Sequence, residues 1–151
     1  MKFYKLLLSL FLTFGLTSCI AELYTESSVV DSTSEAYISE EVETDQKDEV
    51  ALYIHLYDHL PSNYMTKKEA REQGWEGGAL SQVVYGMSIG GDYYGNYEGT
   101  LPEDNTYHEC DIDTEGKKSR GAKRIIYSED GDIWYTEDHY ESFELLYGDG
   151  E

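Results

Sequence analysis

The chain is predicted to be an α+β protein, with short helices first and an antiparallel sheet after them. Three observations predict this. Apolar residues recur at helical spacing from Val50 to Leu60 and a capping box follows at Thr66, runs of alternating or β-rich residues come after residue 86, and Glu129-Asp130-Gly131-Asp132 supplies hairpin-turn chemistry between two of those runs. Helices followed by a meander of strands is the α+β order.

The first 18 residues combine a basic start, Lys2 and Lys5, with an apolar run from Leu6 to Leu16. That run is too short for the roughly 20 residues a membrane-spanning helix needs, so it reads as an export signal. Leu16-Thr17-Ser18-Cys19 resembles the lipobox of bacterial lipoproteins, which implies cleavage before Cys19, lipidation of its thiol and attachment to a membrane through the lipid alone. Residues 19–47 are rich in Ser, Thr, Glu and Asp without a sustained apolar period. Such a segment buries too little surface to fold and is expected to be a tether.

Order is expected from residue 48 to 151. Val50, Tyr53, Ile54, Tyr57 and Leu60 recur at helical spacing before Pro61 closes the first helix. Thr66-Lys67-Lys68-Glu69 is a capping box, and Gly74 suits the C′ position of a short second helix. Its first two helical positions are lysines, which oppose the positive end of the helix macrodipole. A local rule broken in this way points to a function, here an anion facing Lys67. A third short helix is expected over Gly77 to Val84, then strands over Met87 to Tyr93, Thr106 to Asp113, Lys123 to Ser128, Ile133 to Thr136 and Tyr140 to Leu146.

At 151 residues, with 40% hydrophobic content and 15 tyrosines, there is room for one domain with appendages around an aromatic-rich core. The formal charge of −20 would ordinarily argue against a nucleic-acid partner, because a basic footprint is what neutralises phosphates. Distribution matters more than the sum. After residue 18 nine Lys and Arg remain, and eight fall in two clusters, Lys67, Lys68, Arg71 and Lys117, Lys118, Arg120, Lys123, Arg124. Cys19 and Cys110 lie far apart and offer neither a disulfide pairing nor metal-ligand spacing.

One stretch concentrates chemistry. Glu109, Arg120, Arg124 and His139 fall between Thr106 and Tyr140, and a carboxylate, two guanidiniums and an imidazole are a kit for cleaving phosphodiesters. Alternation puts Glu109 on one strand face with Tyr107, Asp111 and Asp113, a polar face, while Cys110 and Ile112 point into the core. His139 stands between Glu137, Asp138 and Glu141. Neighbouring acids favour the protonated imidazolium, the form a general acid needs. Asp111-Ile112-Asp113-Thr114-Glu115-Gly116 opens like a calcium-binding loop, but its twelfth position is Ala122, and Lys117 and Lys118 oppose a cation. No metal or cofactor is therefore assigned.

The order of residues resembles barnase and binase, the guanyl-preferring bacterial enzymes of the microbial ribonuclease superfamily. The likeness runs from near Glu49 to Tyr147, through Leu60-Pro61-Ser62-Asn63-Tyr64-Met65-Thr66-Lys67, Gly74-Trp75, Ser88-Ile89-Gly90-Gly91-Asp92, Asn96-Tyr97-Glu98-Gly99-Thr100-Leu101-Pro102 and Asp138-His139-Tyr140. It implies short helices packed on a twisted antiparallel sheet, Glu109 as general base, His139 as general acid, and Lys67, Arg120 and Arg124 as a phosphate clamp. It also implies a guanine-reading loop, with Glu98 accepting from the base and backbone amides near Asn96 and Tyr97 donating to it, and Tyr140 stacking near the substrate. Two positions depart from the pattern: the family's arginine before the guanine-reading glutamate is Tyr97, and its serine before the asparagine is Gly95.

The chemistry that follows is metal-independent transesterification of single-stranded RNA to a 2′,3′-cyclic phosphate, then hydrolysis of that ester, by an exported and monomeric protein. A barstar-like inhibitor is a partner the family commonly meets. The alternative is a surface lipoprotein that uses a ribonuclease-like domain as a binding module without turnover.

Overall fold

The computed structural model describes residues 36–151. The export signal, Cys19 and the first part of the expected tether lie outside the described residues. Within them the elements run α1 (Lys47–Tyr57), β1 (Tyr64–Met65), α2 (Lys67–Glu72), a 3₁₀ turn (Leu80–Gln82), β2 (Ser88–Tyr94), β3 (Tyr107–Asp111), β4 (Arg124–Ser128), β5 (Ile133–Thr136) and β6 (Glu144–Tyr147). The strands form one sheet in sequence order, β1 parallel to β2 and every later neighbour antiparallel. This is the α+β arrangement expected.

Both faces of the sheet are covered. On one, Val50, Ala51 and Ile54 of α1 pack against Cys110, Ile112, Ile125, Ile133 and Tyr135. On the other, Tyr107 and Ile126 join Leu101, with Tyr94, Trp134, Tyr140 and Phe143 around them. A third cluster, Ala70, Trp75, Leu80 and Ile89, seats α2 and the 3₁₀ turn against β2. The alternation expected along β3 is present, since Cys110 faces α1 and Tyr107 belongs to the opposite cluster. The supposed polar face, however, is buried: Glu109 is 7% and Asp111 1% exposed. Its cover comes from side chains distant in sequence, Tyr140 over Glu109 and two arginines over Asp111, which a local pattern does not reveal.

Several boundaries move. α1 ends at Tyr57 because Asp58 adopts a left-handed conformation (φ 59°), so Leu60 joins that core from a loop. The expected third helix contracts to one 3₁₀ turn between the glycines at 77, 78 and 86. The last strand starts at Glu144 rather than Tyr140, because His139 (φ 60°) and Tyr140 (φ 72°) turn the chain.

The tether also ends earlier than composition suggests. Residues 36–46 run as a strap anchored by polar contacts. Tyr57 and Tyr53 donate their hydroxyls to the carbonyls of Ile38 (2.8 Å) and Glu40 (2.9 Å). Asn63 bonds the backbone of Thr44 in both directions. The buried Asp45 carboxylate accepts from the backbone N–H groups of Thr114 (2.6 Å) and Glu115 (2.7 Å). Hydrogen bonding to a buried carboxylate orders this segment where apolar burial alone would not.

Candidate active site

The capping box forms as expected. Thr66 Oγ1 accepts from the Glu69 N–H (3.3 Å) while the Glu69 carboxylate accepts from the Thr66 N–H (2.9 Å). This fixes where α2 begins and so where Lys67 stands. The backbone N–H of Lys67 donates to Asp92 (2.9 Å), which sits opposite Glu109 in the β2–β3 register. Its side chain then reaches across, Nζ to Glu109 Oε1 at 2.7 Å. The second carboxylate oxygen, Oε2, accepts from the Tyr140 hydroxyl.

Glu109 is thus a nearly buried carboxylate gripped on both oxygens. Burial is the largest single influence and pushes its pKa up, but the bonds from Lys67 and Tyr140 and the charges of Lys67 and Arg120 together hold it below the usual carboxylate value. Tyr140 moves the other way. Burial and the adjoining Glu109 carboxylate push its phenol well above 10, so it remains a donor.

The two arginines are organised by the first carboxylate of the stretch that opens like a calcium-binding loop. Asp111, buried two positions beyond Glu109 on the same face, accepts from Arg120 Nε and Nη2, each at 2.8 Å. Arg124 Nε lies 3.0 Å from Asp111 Oδ1, the oxygen that Arg120 Nη2 also reaches, with Nη1 bonded to the carbonyls of Arg120 (3.3 Å) and Lys123 (2.7 Å). Such a bidentate fork holds a guanidinium in a fixed plane. Strand alternation was the available signal, because it put Asp111 level with Glu109. Asp113, the other carboxylate of that motif, pairs with Lys123.

His139 is exposed, in a turn whose backbone is held at both ends. Its N–H donates to the Ala122 carbonyl (3.2 Å), and the next N–H, of Tyr140, donates to Thr136 Oγ1 (3.0 Å). Asp138 turns its carboxylate into the turn, accepting from Ser142, Thr136 and Glu141, and those bonds bring its pKa down to about 2. The acid next to His139 therefore shapes the turn that presents the imidazole.

The loop after β2 is stapled by Asn96 (φ 44°), whose side chain donates to the Leu101 carbonyl (2.8 Å) and accepts from its N–H (3.1 Å). Asn96 is thereby a loop-shaping residue, while Glu98 and Tyr97 point outward, Tyr97 being 94% exposed. The Tyr94 ring stacks on Tyr140 at 5.3 Å. A cleft of about 610 Å³ is lined by Tyr94, Asn96, Tyr97, Glu98, Glu109, His139 and Tyr140 among others. It brings together six of the expected site residues. Lys67, Arg120 and Arg124 are not among its lining residues; Lys67 reaches Glu109 and the arginines reach Asp111.

A family model described as ribonuclease matches residues 25–147. A ribonuclease of Bacillus intermedius is 39% identical over 122 residues, spanning 78% of this chain and 74% of that protein. One from Heyndrickxia coagulans is 44% identical over 100 residues, 64% of this chain and 91% of that protein. The guanyl-specific ribonuclease St of Saccharopolyspora erythraea is 44% identical over 57 residues, 36% of this chain and 56% of that protein. With a nearly buried carboxylate, an exposed imidazole and a stapled loop around one cleft, and with most of its described length matched, the chain belongs to the ribonuclease family.

Proposed function

We propose that this ribonuclease cleaves single-stranded RNA after guanosine by attack of the ribose 2′-hydroxyl on the adjacent phosphorus. Glu109 takes the proton from the 2′-hydroxyl, the P–O5′ bond breaks, and His139 protonates the departing 5′-oxygen. The products are a 2′,3′-cyclic phosphate and a free 5′-hydroxyl. Water then opens the cyclic ester with roles exchanged, His139 accepting the proton and Glu109 returning it. Lys67, Arg120 and Arg124 offset the charge on the phosphorane, a term that is often the largest in such reactions.

The observation that carries this reading is that Glu109, His139 and Glu98 line one cleft. Its dimensions suit a nucleotide, with the base against Tyr94 to Glu98 and the phosphate between Glu109 and His139. A low Glu109 pKa keeps the base ionised at neutral pH. Acid, base and charge stabilisation all come from side chains, so cleavage is expected to persist in EDTA. The test is incubation of the purified protein with RNA in EDTA and analysis of the ends. Cyclic phosphate termini are expected, and His139→Ala should slow their formation by roughly 10² to 10⁴, the usual worth of a general acid. RNA left intact at high protein concentration would favour a binding module instead.

The leader and Cys19 support an exported protein held at a membrane by a lipid. Cys19→Ser should then move the mature protein out of the membrane fraction, since each buried acyl CH₂ contributes about 0.8 kcal/mol. A barstar-like inhibitor at this cleft would meet Tyr97 where the family pattern has a cation.

A further inference from the structure

The described domain is strongly acidic, yet four of its cations have no ion-pair partner among the described residues: Lys68, Arg71, Lys117 and Lys118. Lys47, Lys67, Lys123, Arg120 and Arg124 are each paired with a carboxylate. All four unpaired cations are exposed, and they are carried by two segments, α2 and the loop after β3, that each place an arginine over one buried ring. Arg71 and Arg120 lie over Trp75 at 5.9 and 6.0 Å. The Trp75 indole donates to the Gly78 carbonyl, and the next residue, Ala79, donates its N–H to the Lys118 carbonyl. The lysine loop is thereby fastened beside α2, which carries Lys68 and Arg71. Through Arg120 this ridge is continuous with the Asp111 and Glu109 site.

Its place along the sheet gives it a direction. The loop with Glu98 follows the end of β2, where Tyr94 pairs with Tyr107; the ridge lies beyond the other end, where Asp111 pairs with Arg124. The His139 turn is tied to Ala122 in the loop that carries the ridge lysines' neighbours. A strand with its guanine against Glu98 and its 5′-oxygen at His139 would leave the cleft, on the leaving-group side, beside the loop that carries Lys117 and Lys118.

We propose that Lys68, Arg71, Lys117 and Lys118 bind the phosphates of RNA on the 3′ side of the cut, giving an acidic protein a local track for its substrate. The inference rests on the ribonuclease reading above. Glu72, Glu76 and Glu115 border the ridge in sequence, so its pull is local and falls within a Debye length, about 8 Å at physiological salt.

The test uses the full protein and three substrates: GpA, GpA extended by six nucleotides on its 3′ side, and GpA extended equally on its 5′ side. The variants are Lys68→Ser/Arg71→Ser/Lys117→Ser/Lys118→Ser and a charge-retaining Lys68→Arg/Arg71→Lys/Lys117→Arg/Lys118→Arg control. The parent should show a lower KM for the 3′-extended substrate, lost in the serine variant and kept in the control, with GpA and the 5′-extended substrate changed little. The slope of log KM against log salt for the 3′-extended substrate should fall by about 0.7 for each phosphate contact removed. A 3′ advantage that survives the serine variant, or a parent that cleaves GpA without any 3′ advantage, overturns the ridge while leaving the enzyme reading intact. Failure to cleave any of the three overturns both.

Discussion

The Tyr97 ring lies against the backbone of Gly95 so closely that a β-carbon on Gly95 would come within 2.3 Å of it. The two departures from the family pattern are therefore one structural change: the ring takes the space a serine side chain would need. Tyr97 is almost fully exposed, so a new side chain would swing the ring outward without reaching the core. Gly95→Ser should leave stability within about 0.5 kcal/mol of the parent, as surface changes usually do, and raise KM for GpA by freeing the loop. In a Tyr97→Arg background the same substitution should have no further effect. Equal effects in both backgrounds, in a double-mutant cycle on GpA, would show that the two positions are independent.

A second expectation concerns Asp111. Asp111→Asn leaves two guanidiniums beside a neutral amide in a buried place, and breaking a buried ion pair this way typically costs about 3–5 kcal/mol. Denaturant melts should show that loss, and the folded fraction should cleave RNA poorly because Arg120 loses its fixed plane and Arg124 its ion pair. A variant as stable as the parent would show that Asp111 does not organise the arginines.

Glu109 carries a pH signature. Burial raises its pKa, but Lys67, Tyr140 and Arg120 outweigh that and hold it below the unfolded value. Its contribution to stability is therefore complete above the unfolded carboxylate pKa and fades as pH falls through the lowered folded value. The acid limb of kcat/KM should likewise sit below the ordinary glutamate range. Lys67→Ala removes the leading downward influence while burial remains, so the limb should move to higher pH as the maximal rate falls. A lower rate with an unmoved limb would place Lys67 on the phosphate alone.

What was legible in the sequence follows the range of the forces involved. Period-two alternation put Glu109 and Asp111 opposite Cys110 because that pattern is local to β3, and the capping box located Lys67 for the same reason. Burial of the Glu109 face was not legible, since Tyr94, Trp134, Tyr140 and Phe143 arrive from three other segments. Asp111 was hidden by a stronger local pattern, the calcium-loop opening, whose oxygens are engaged by arginines and a lysine instead. The strap over 36–46 leaves no mark in the sequence because a polar composition says nothing of Asp45 finding two backbone donors some 70 residues away. The late start of the last strand is a matter of dihedrals: the consecutive left-handed residues His139 and Tyr140 have no sequence marker when neither is glycine.

Base selectivity is where the loop makes the sharpest demand. Asn96 holds the loop through Leu101, leaving the exposed Glu98 at the cleft wall. A carboxylate accepts only, so it matches the ring N–H and exocyclic amine of guanine and has nothing to offer the acceptor nitrogen on the corresponding edge of adenine. Tyr97 adds no cation, which should weaken binding to any RNA without changing the order among bases, because phosphate contacts position a nucleic acid while base contacts specify its sequence. Glu98→Ala should therefore bring GpA down toward ApA and CpA, whereas Tyr97→Arg should speed all three by similar factors. Rates for the three dinucleotides across the parent and both variants test each half. Equal parent rates would remove the guanine reading, and a gain confined to GpA in Tyr97→Arg would assign base reading to position 97 as well.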